Sequence, residues 1–239
     1  MSAARNVLIT GAARGLGSAI ALHLAAPGTR LFLHYRSSES EVRALAESIR
    51  ARGADAVTLP ADLADGPERA RLIARVSESA TALAVLIHNA GLYRPEPLLE
   101  HSLASWRDTL EVSCTAVFHL TQLAVPLLRQ GAPARVIMLG DSGNDRVIAR
   151  TQATAYHIAK LGVNVLARSF AKALGPDGIT VNQISPGILE NSIDGPESEI
   201  PAGRWGRFED VLAALNFLLS PQAEYISGAN LVVSGGWNV

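Results

Sequence analysis

Val7-Leu-Ile-Thr-Gly-Ala-Ala-Arg-Gly-Leu-Gly17 is the stretch that decides how the rest of the chain is read. Its apolar triplet, Val7-Leu-Ile9, stops at Thr10-Gly11, as a buried strand ending in a tight turn does. Glycines at 11, 15 and 17 follow, and Ile20, Leu22 and Leu24 then supply the apolar face of a helix. A glycine-rich turn between strand and helix lets backbone approach a pyrophosphate, which the helix N-terminus stabilises electrostatically. The spacing is GxxxGxG rather than GxGxxG, so glycines serving only a tight turn are the alternative.

Working outward, Leu31-Phe-Leu-His-Tyr35 reads as a second strand, followed by Arg36-Ser37-Ser38. In a dinucleotide-binding fold an acid at this strand's end would hydrogen-bond a free ribose 2′-hydroxyl. No acid occupies positions 33 to 38, and Arg36, with Arg14 from the glycine turn, can pair with a 2′-phosphate. The pattern argues for NADP(H); two solvated surface charges are the plainer reading. Val57-Thr-Leu59 is a third strand, and Asp62-Leu63 follows it at a position suited to contacting adenine.

The remaining elements alternate. Helices are expected over 40–51, 66–80, 102–129, 152–174 and 208–219. Strands are expected at Ala84-Val-Leu-Ile87, Arg135-Val-Ile-Met-Leu139, Thr180-Val-Asn-Gln-Ile184 and Asn230-Leu-Val-Val-Ser234. Near-continuous apolar strands alternating with helices predict an α/β fold, a doubly wound parallel sheet forming a single domain over 1–239.

On the expected 152–174 helix, Tyr156 and Lys160 stand four apart and so share a face. An ammonium beside a phenol lowers the tyrosine pKa toward neutral, which suits proton delivery to a carbonyl oxygen. An exposed helical turn is the bland alternative.

Composition bounds the rest. With 239 residues, 48% of them hydrophobic, the chain can bury one sizeable core. Its 21 basic and 22 acidic residues give no reason to expect nucleic acid or an anionic membrane as partner. No uninterrupted apolar run approaches the roughly 20 residues of a membrane span. No signal-type apolar segment opens the chain, and one cysteine, Cys114, excludes an internal disulfide and a cysteine-built metal site. A cytoplasmic location is expected.

Taken together, Thr10–Gly17, Asp62-Leu63, His88-Asn-Ala-Gly91, Tyr156-His-Ile-Ala-Lys160, Val181-Asn182, Ser185-Pro-Gly187 and Ser234-Gly-Gly236 resemble the short-chain dehydrogenase/reductase family along almost the whole chain. The resemblance implies a Rossmann-type domain, a nicotinamide cofactor and hydride transfer to or from a carbonyl or alcohol. Under it Gly11, Gly15, Leu16 and Gly17 hold the pyrophosphate side, with Tyr35, Arg36, Ser37, Asp62 and Leu63 toward the adenosine. Asn89-Ala90-Gly91 line the cleft, and Pro186-Gly187-Ile188 border the nicotinamide. Tyr156 is the acid/base, while Lys160 tunes it and holds the ribose. Family members are usually tetramers or dimers joined through their two long helices; here Val117, Leu120, Leu123, Phe170 and Leu174 could serve that interface or the core.

Two departures stand out. The serine that the family places after the fifth strand is replaced by Asp141, as in pteridine reductases, or else represented by Ser142. A carboxylate beside a phenolate repels it, so Asp141 would work best protonated or through a water; a turn cap is its plain alternative. Ser113 stands where an asparagine usually supports a water-mediated proton relay, and has only one hydroxyl.

Substrate hints divide. Tyr93 occupies the position of the pterin-stacking aromatic of pteridine reductases, or is ordinary wall packing. The His88-Asn-Ala-Gly91 turn is more similar to 3-oxoacyl-carrier-protein reductases. The segment after Gly187 carries Glu190, Asp194, Glu197 and Glu199, with prolines at 196 and 201, an acidic lid that disfavours a steroid or a long acyl chain. A small carbonyl compound, a pterin, or a carrier-linked thioester whose carrier stays outside all fit. A cofactor-binding regulatory protein that has lost its chemistry is the rival from another class.

Overall fold

The computed structural model describes residues 5–192 and 197–238. Seven strands form one parallel sheet: β1 (Arg5–Ile9), β2 (Thr29–Tyr35), β3 (Asp55–Pro60), β4 (Val85–His88), β5 (Arg135–Leu139), β6 (Thr180–Pro186) and β7 (Asn230–Val233). Their order is β3-β2-β1-β4-β5-β6-β7. The winding reverses between β1 and β4, where the connections leave in opposite directions and open a crevice at the carboxyl ends of the strands. The helices are α1 (Gly15–Leu24), α2 (Glu39–Ala51), α3 (Gly66–Ser79), α4 (Leu103–Leu110), α5 (Ala116–Gln130), α6 (Thr154–Leu174) and α7 (Phe208–Leu219).

Both sheet faces are covered, and successive strand residues serve opposite cores. Leu8, Phe32, Leu86 and Val136 face α3, α5 and α6, meeting Leu72, Leu120 and Val163. Val7, Ile9, Leu31 and Leu33 face α1, α2 and α7, meeting Ile20, Ile49 and Leu215. Side chains this fully buried contribute about 1.5–3 kcal/mol each.

The strands and helices match the sequence expectation to within a few residues, with one exception. The region 102–129 is not one α-helix: a π-helical turn, Glu111–Thr115, separates α4 from α5. The extra residue in that turn sets Ser113 inward, fully buried. Taken whole, Leu103–Gln130 is by length and mean hydropathy the one helix among the described residues long and apolar enough to cross a membrane, although charged and polar residues interrupt its apolar run. Its Leu120, Ala124, Leu127 and Leu128 are instead packed in the core. Val117 and Leu174 are core residues too, with Leu123 and Phe170 packed partly buried against them. The apolar side chains exposed on α5 and α6 are Phe118, Ile158 and Val165.

Candidate active site

The crevice begins with the turn after β1. Gly11 (φ 64°) and Gly15 (φ 55°) occupy the left-handed region that side chains disfavour. A Cβ on Gly17 would overlap the Gly11 carbonyl oxygen and lie 2.6 Å from Asn89 Nδ2. Three side chains pin this turn. Thr10 Oγ1 accepts from the amides of Asn89 and Ala90 (both 3.0 Å), and Asn89 Nδ2 donates to the carbonyls of Thr10 (3.1 Å) and Gly11 (2.9 Å). From β2, His34 Nδ1 accepts the Gly11 amide (3.0 Å), while its Nε2 sits 3.0 Å from the Ala61 carbonyl. With Nδ1 accepting, Nε2 carries the hydrogen and the ring is neutral. Burial pushes the His34 pKa down to about 4, outweighing the Ala61 hydrogen bond and the Asp62 charge.

Beside the turn lies a cleft of about 280 Å³. Arg14, Tyr35, Arg36 and Ser37 line one wall, and Asp62, Leu63, Ala90 and Gly91 another. Asp62 is shaped by its own loop: its Oδ1 accepts from the Ala64 amide (2.9 Å), and its amide donates to the Glu68 carboxylate. Arg14 makes one exposed ion pair, with Glu41 at 3.8 Å, which costs little to exchange for a ligand phosphate. Two guanidinium groups and a glycine turn with no room for side chains fit an adenosine 2′-phosphate joined to a pyrophosphate.

Asn89 and Gly91 also border a second cleft, of about 550 Å³, lined by Leu16, Tyr93, Asp141, Tyr156 and Lys160. Pro186, Gly187 and Ile188 complete its floor. Tyr156 and Lys160 do share one face of α6, with Lys160 Nζ 5.4 Å from the phenol ring centroid. Lys160 is buried and donates to the Leu139 carbonyl at the end of β5 (2.6 Å). Asn144, fully buried, ties the loop after β5 to this helix: its Nδ2 donates to the Lys160 carbonyl (3.2 Å), and its own carbonyl accepts from Asn164 Nδ2 (3.1 Å). The start of α6 is held from the Tyr93 side. Ala153, at φ 52°, donates its amide to the Glu96 carbonyl (3.2 Å).

The expectation of a phenol tuned toward neutral is corrected here. Burial, the Asp141 charge and Tyr93 hold the Tyr156 pKa above its ordinary value. Burial also lowers Lys160, to about 8, against the opposing pull of Asp141 and Cys114. The cation is too weakly placed to overcome desolvation and a nearby carboxylate. A phenol that stays protonated at neutral pH is the form that can donate to a carbonyl oxygen.

Of the two residues weighed after β5, the structure brings Asp141 to the cleft. Ser142 is fully buried behind it, and its Oγ has no hydrogen-bond partner among the described residues. Ser113 does not line the cleft either. Its Oγ accepts the Leu92 amide (2.9 Å) and lies behind Gly91, where a Cβ would be 3.6 Å from Lys160 Nζ and 3.9 Å from Ser113 Oγ. Tyr93 is half-exposed and edge-on to Tyr156, ring centroids 5.1 Å apart. In the segment expected to be a lid, Glu190 accepts the Phe208 amide (2.9 Å) at the start of α7; Asp194 and Pro196 lie outside the described residues.

Sequence reasoning passed over His34, Asn144 and Trp237. His34 carried a signal, a titratable residue inside the apolar run Leu31–Tyr35. Trp237, which lines the second cleft, follows a glycine pair at the far end of the chain, and nothing local connects it to the site.

A reversal point in a parallel sheet, a pinned glycine turn and a Tyr-x-x-x-Lys pair facing the same crevice define a dinucleotide-dependent oxidoreductase. Residues 11–238 match the family model described as Enoyl-(Acyl carrier protein) reductase. The chain is 32% identical to the 3-oxoacyl-[acyl-carrier-protein] reductase FabG of Staphylococcus aureus, over 99% of each. Among solved structures it is similar to the Pseudomonas aeruginosa RhlG/NADP active-site complex (TM-score 0.89, 32% identity, 100% of this chain and 98% of that one). It is also similar to a short chain dehydrogenase from Burkholderia cenocepacia in complex with NADP (TM-score 0.90, 31% identity, 98% of each). The chain belongs to the short-chain dehydrogenase/reductase family and is an oxidoreductase of that family.

Proposed function

We propose that the protein is an NADPH-dependent reductase of small carbonyl compounds in which Tyr156 gives the proton. The observation that carries this reading is the placement of Tyr156 and Lys160 in the cleft that shares Asn89 and Gly91 with the arginine-lined crevice. NADPH, when bound, would supply the hydride; Arg36 and Arg14, with no acid at positions 33 to 38, support the phosphorylated cofactor. The relatives bound to NADP support the same choice. Tyr156 donates its hydroxyl proton to the substrate oxygen as the carbon takes up hydride. Lys160 stays charged below about pH 8 and offsets the negative charge left on the phenol. Asp141, protonated or through a water, polarises or orients the oxygen, and Ser113 supports the amine side through the Leu92 loop.

The family description and the curated relative name different acyl-carrier reactions, at a carbon–carbon and a carbon–oxygen double bond, so neither fixes the substrate. A 3-oxoacyl thioester or other small ketone is the first reading. A pteridine is the second, favoured by Asp141 in the cleft and by Tyr93 standing edge-on beside Tyr156. We also expect a homodimer or homotetramer through α5 and α6, where Phe118, Ile158 and Val165 are exposed.

The test is NADPH oxidation, followed by absorbance, with a panel of 3-oxoacyl esters, cyclic ketones and pterins. Tyr156→Phe is expected to lower kcat by about 10²–10⁴-fold while NADPH affinity stays within a few-fold. A fully active variant would place the proton donor elsewhere, and NADPH binding without turnover of any substrate would favour the regulatory reading.

A further inference from the structure

The last described residues of the chain return to the substrate cleft, and the chemistry above leaves their side chains unused. After β7, Ser234-Gly235-Gly236 turns the backbone through φ values of 63° and 89° at the two glycines. Neither has room for a side chain. A Cβ on Gly235 would sit 2.9 Å from Ala202 Cβ, and one on Gly236 would sit 3.0 Å from Pro201 Cγ. The lid segment 200–202 is pressed onto this turn, and the Ala202 amide donates to the Gly235 carbonyl (2.9 Å). From the other side, the Gly187 amide donates to the Val233 carbonyl (2.9 Å), and a Cβ on Gly187 would lie 2.9 Å from Ser234 Cα. The turn is clamped between the floor of the cleft and its lid.

What the clamped turn delivers is Trp237, which joins Tyr93, Asp141, Tyr156 and Leu189 in lining the cleft. Its amide donates back to the Ser234 carbonyl (3.2 Å), which fixes where the residue leaves the turn. Asn238 follows at φ 57°, and its Nδ2 is buried with no hydrogen-bond partner among the described residues. That amide faces the loop after β5: a Cβ on Gly143 would lie 3.7 Å from it and 3.7 Å from Asp141 Oδ2. The tail therefore meets the same loop that presents the carboxylate.

We propose that Trp237 is a specificity-determining residue, an indole wall that selects substrates in which the reacting carbonyl belongs to a flat ring system. The proposal rests on the reductase reading and narrows its substrate class. Two aromatic side chains, Trp237 and Tyr93, bound one cleft whose volume suits a bicyclic compound better than a long chain. A rigid ring matches a flat wall without losing rotamer freedom, whereas an acyclic chain must be ordered against it. Aromatic contact and the area it buries together are worth on the order of ten-fold in affinity.

The experiment compares Trp237→Ala, Trp237→Phe and Trp237→Leu in the full chain with two probes, the flat bicyclic ketone isatin and the acyclic ethyl acetoacetate. In Trp237→Ala, kcat/KM for isatin should fall about ten-fold or more through KM, with ethyl acetoacetate changed less than about three-fold. Phenylalanine should restore most of the loss and leucine little of it. If the alanine variant does not fold, the phenylalanine–leucine pair gives the same contrast. Equal losses on both probes, or no loss on isatin, would overturn the proposal. An NADPH-binding wild type that oxidises the cofactor with neither probe nor any other carbonyl would sink the reductase reading itself, and the proposal with it.

Discussion

The two halves of the cleft are held by different mixtures of contacts. On the cofactor side, the turn after β1 is fixed by hydrogen bonds from Thr10, His34 and Asn89, each anchored on a buried strand or its end. On the substrate side, Asn144 ties the loop after β5 to α6, while the lid and the tail are joined by backbone hydrogen bonds and by Gly187, Gly235 and Gly236 packed tightly against their neighbours. Two further bonds zip the Tyr93 loop to the loop before α6, Leu98 amide to Thr151 carbonyl (2.8 Å) and Ala153 amide to Glu96 carbonyl. Val147 and Leu99 on these loops are 94% and 97% exposed. A polar brace specifies one backbone path and so one ligand shape.

Paired glycine substitutions test this contrast most severely. Gly17→Ala should lower NADPH affinity by about 100-fold or more, or unfold the crevice, because the new methyl collides with the Gly11 carbonyl and with Asn89 Nδ2, both held in place. Gly143→Ala should leave NADPH affinity within about two-fold, since its nearest obstacle, at 3.0 Å, is the far end of the flexible Arg150 side chain. Titration of NADPH by fluorescence reads both. Equal tolerance at the two positions would show that the cofactor turn is no more rigid than the substrate loop.

A smaller effect is expected at Asp141. Its carboxylate raises the pKa of both Tyr156 and Lys160, so Asp141→Asn should lower both. Lys160 would then lose its proton below about pH 8, and the alkaline limb of the kcat profile for reduction should move to lower pH. The accompanying loss in kcat/KM should be about ten-fold. An alkaline limb that stays in place would mean the carboxylate does not act on this pair.

The same contrast explains what the sequence made legible. The cofactor side is contiguous: turn, strand end and Asn89-Ala-Gly91 each announce themselves locally, because glycine spacing and apolar strands follow directly from close backbone approach and burial. Tyr156 and Lys160 were legible because four residues make one helical turn. Their electrostatics were not, since the sign of the Tyr156 shift depends on burial and on a carboxylate fifteen residues away in another element. The π-helical turn was invisible as well; Leu103–Gln130 has continuous helical spacing, and only packing shows where the extra residue sits. Trp237 illustrates the limit. Its place in the site depends on Gly187, Ala202 and Gly235 meeting in space, and no local pattern encodes that meeting.

The smallest effect at neutral pH, and the one that separates the halves by pH, belongs to His34. Protonating Nδ1 would set two donors face to face, the ring N–H against the Gly11 amide. The native pKa is about 4 and the unfolded value 6.5, so between them the unfolded chain binds a proton that the native chain refuses. This contribution is present in full above pH 6.5 and is lost as pH falls toward 4, amounting to about 3 kcal/mol. His34→Asn keeps an acceptor for Gly11 but does not titrate. Urea unfolding at pH 7 and pH 4 should therefore show a drop in stability smaller by about 3 kcal/mol in the variant than in the wild type. His88, lowered to about 3 by burial and by Lys160, adds its own acid dependence equally to both proteins and cancels in the comparison. If the two drops are the same, the brace on the cofactor turn does not depend on a neutral ring. If they differ as expected, an acid-sensitive contact lies on the cofactor side, and alkaline sensitivity, through Lys160 and Asp141, on the substrate side.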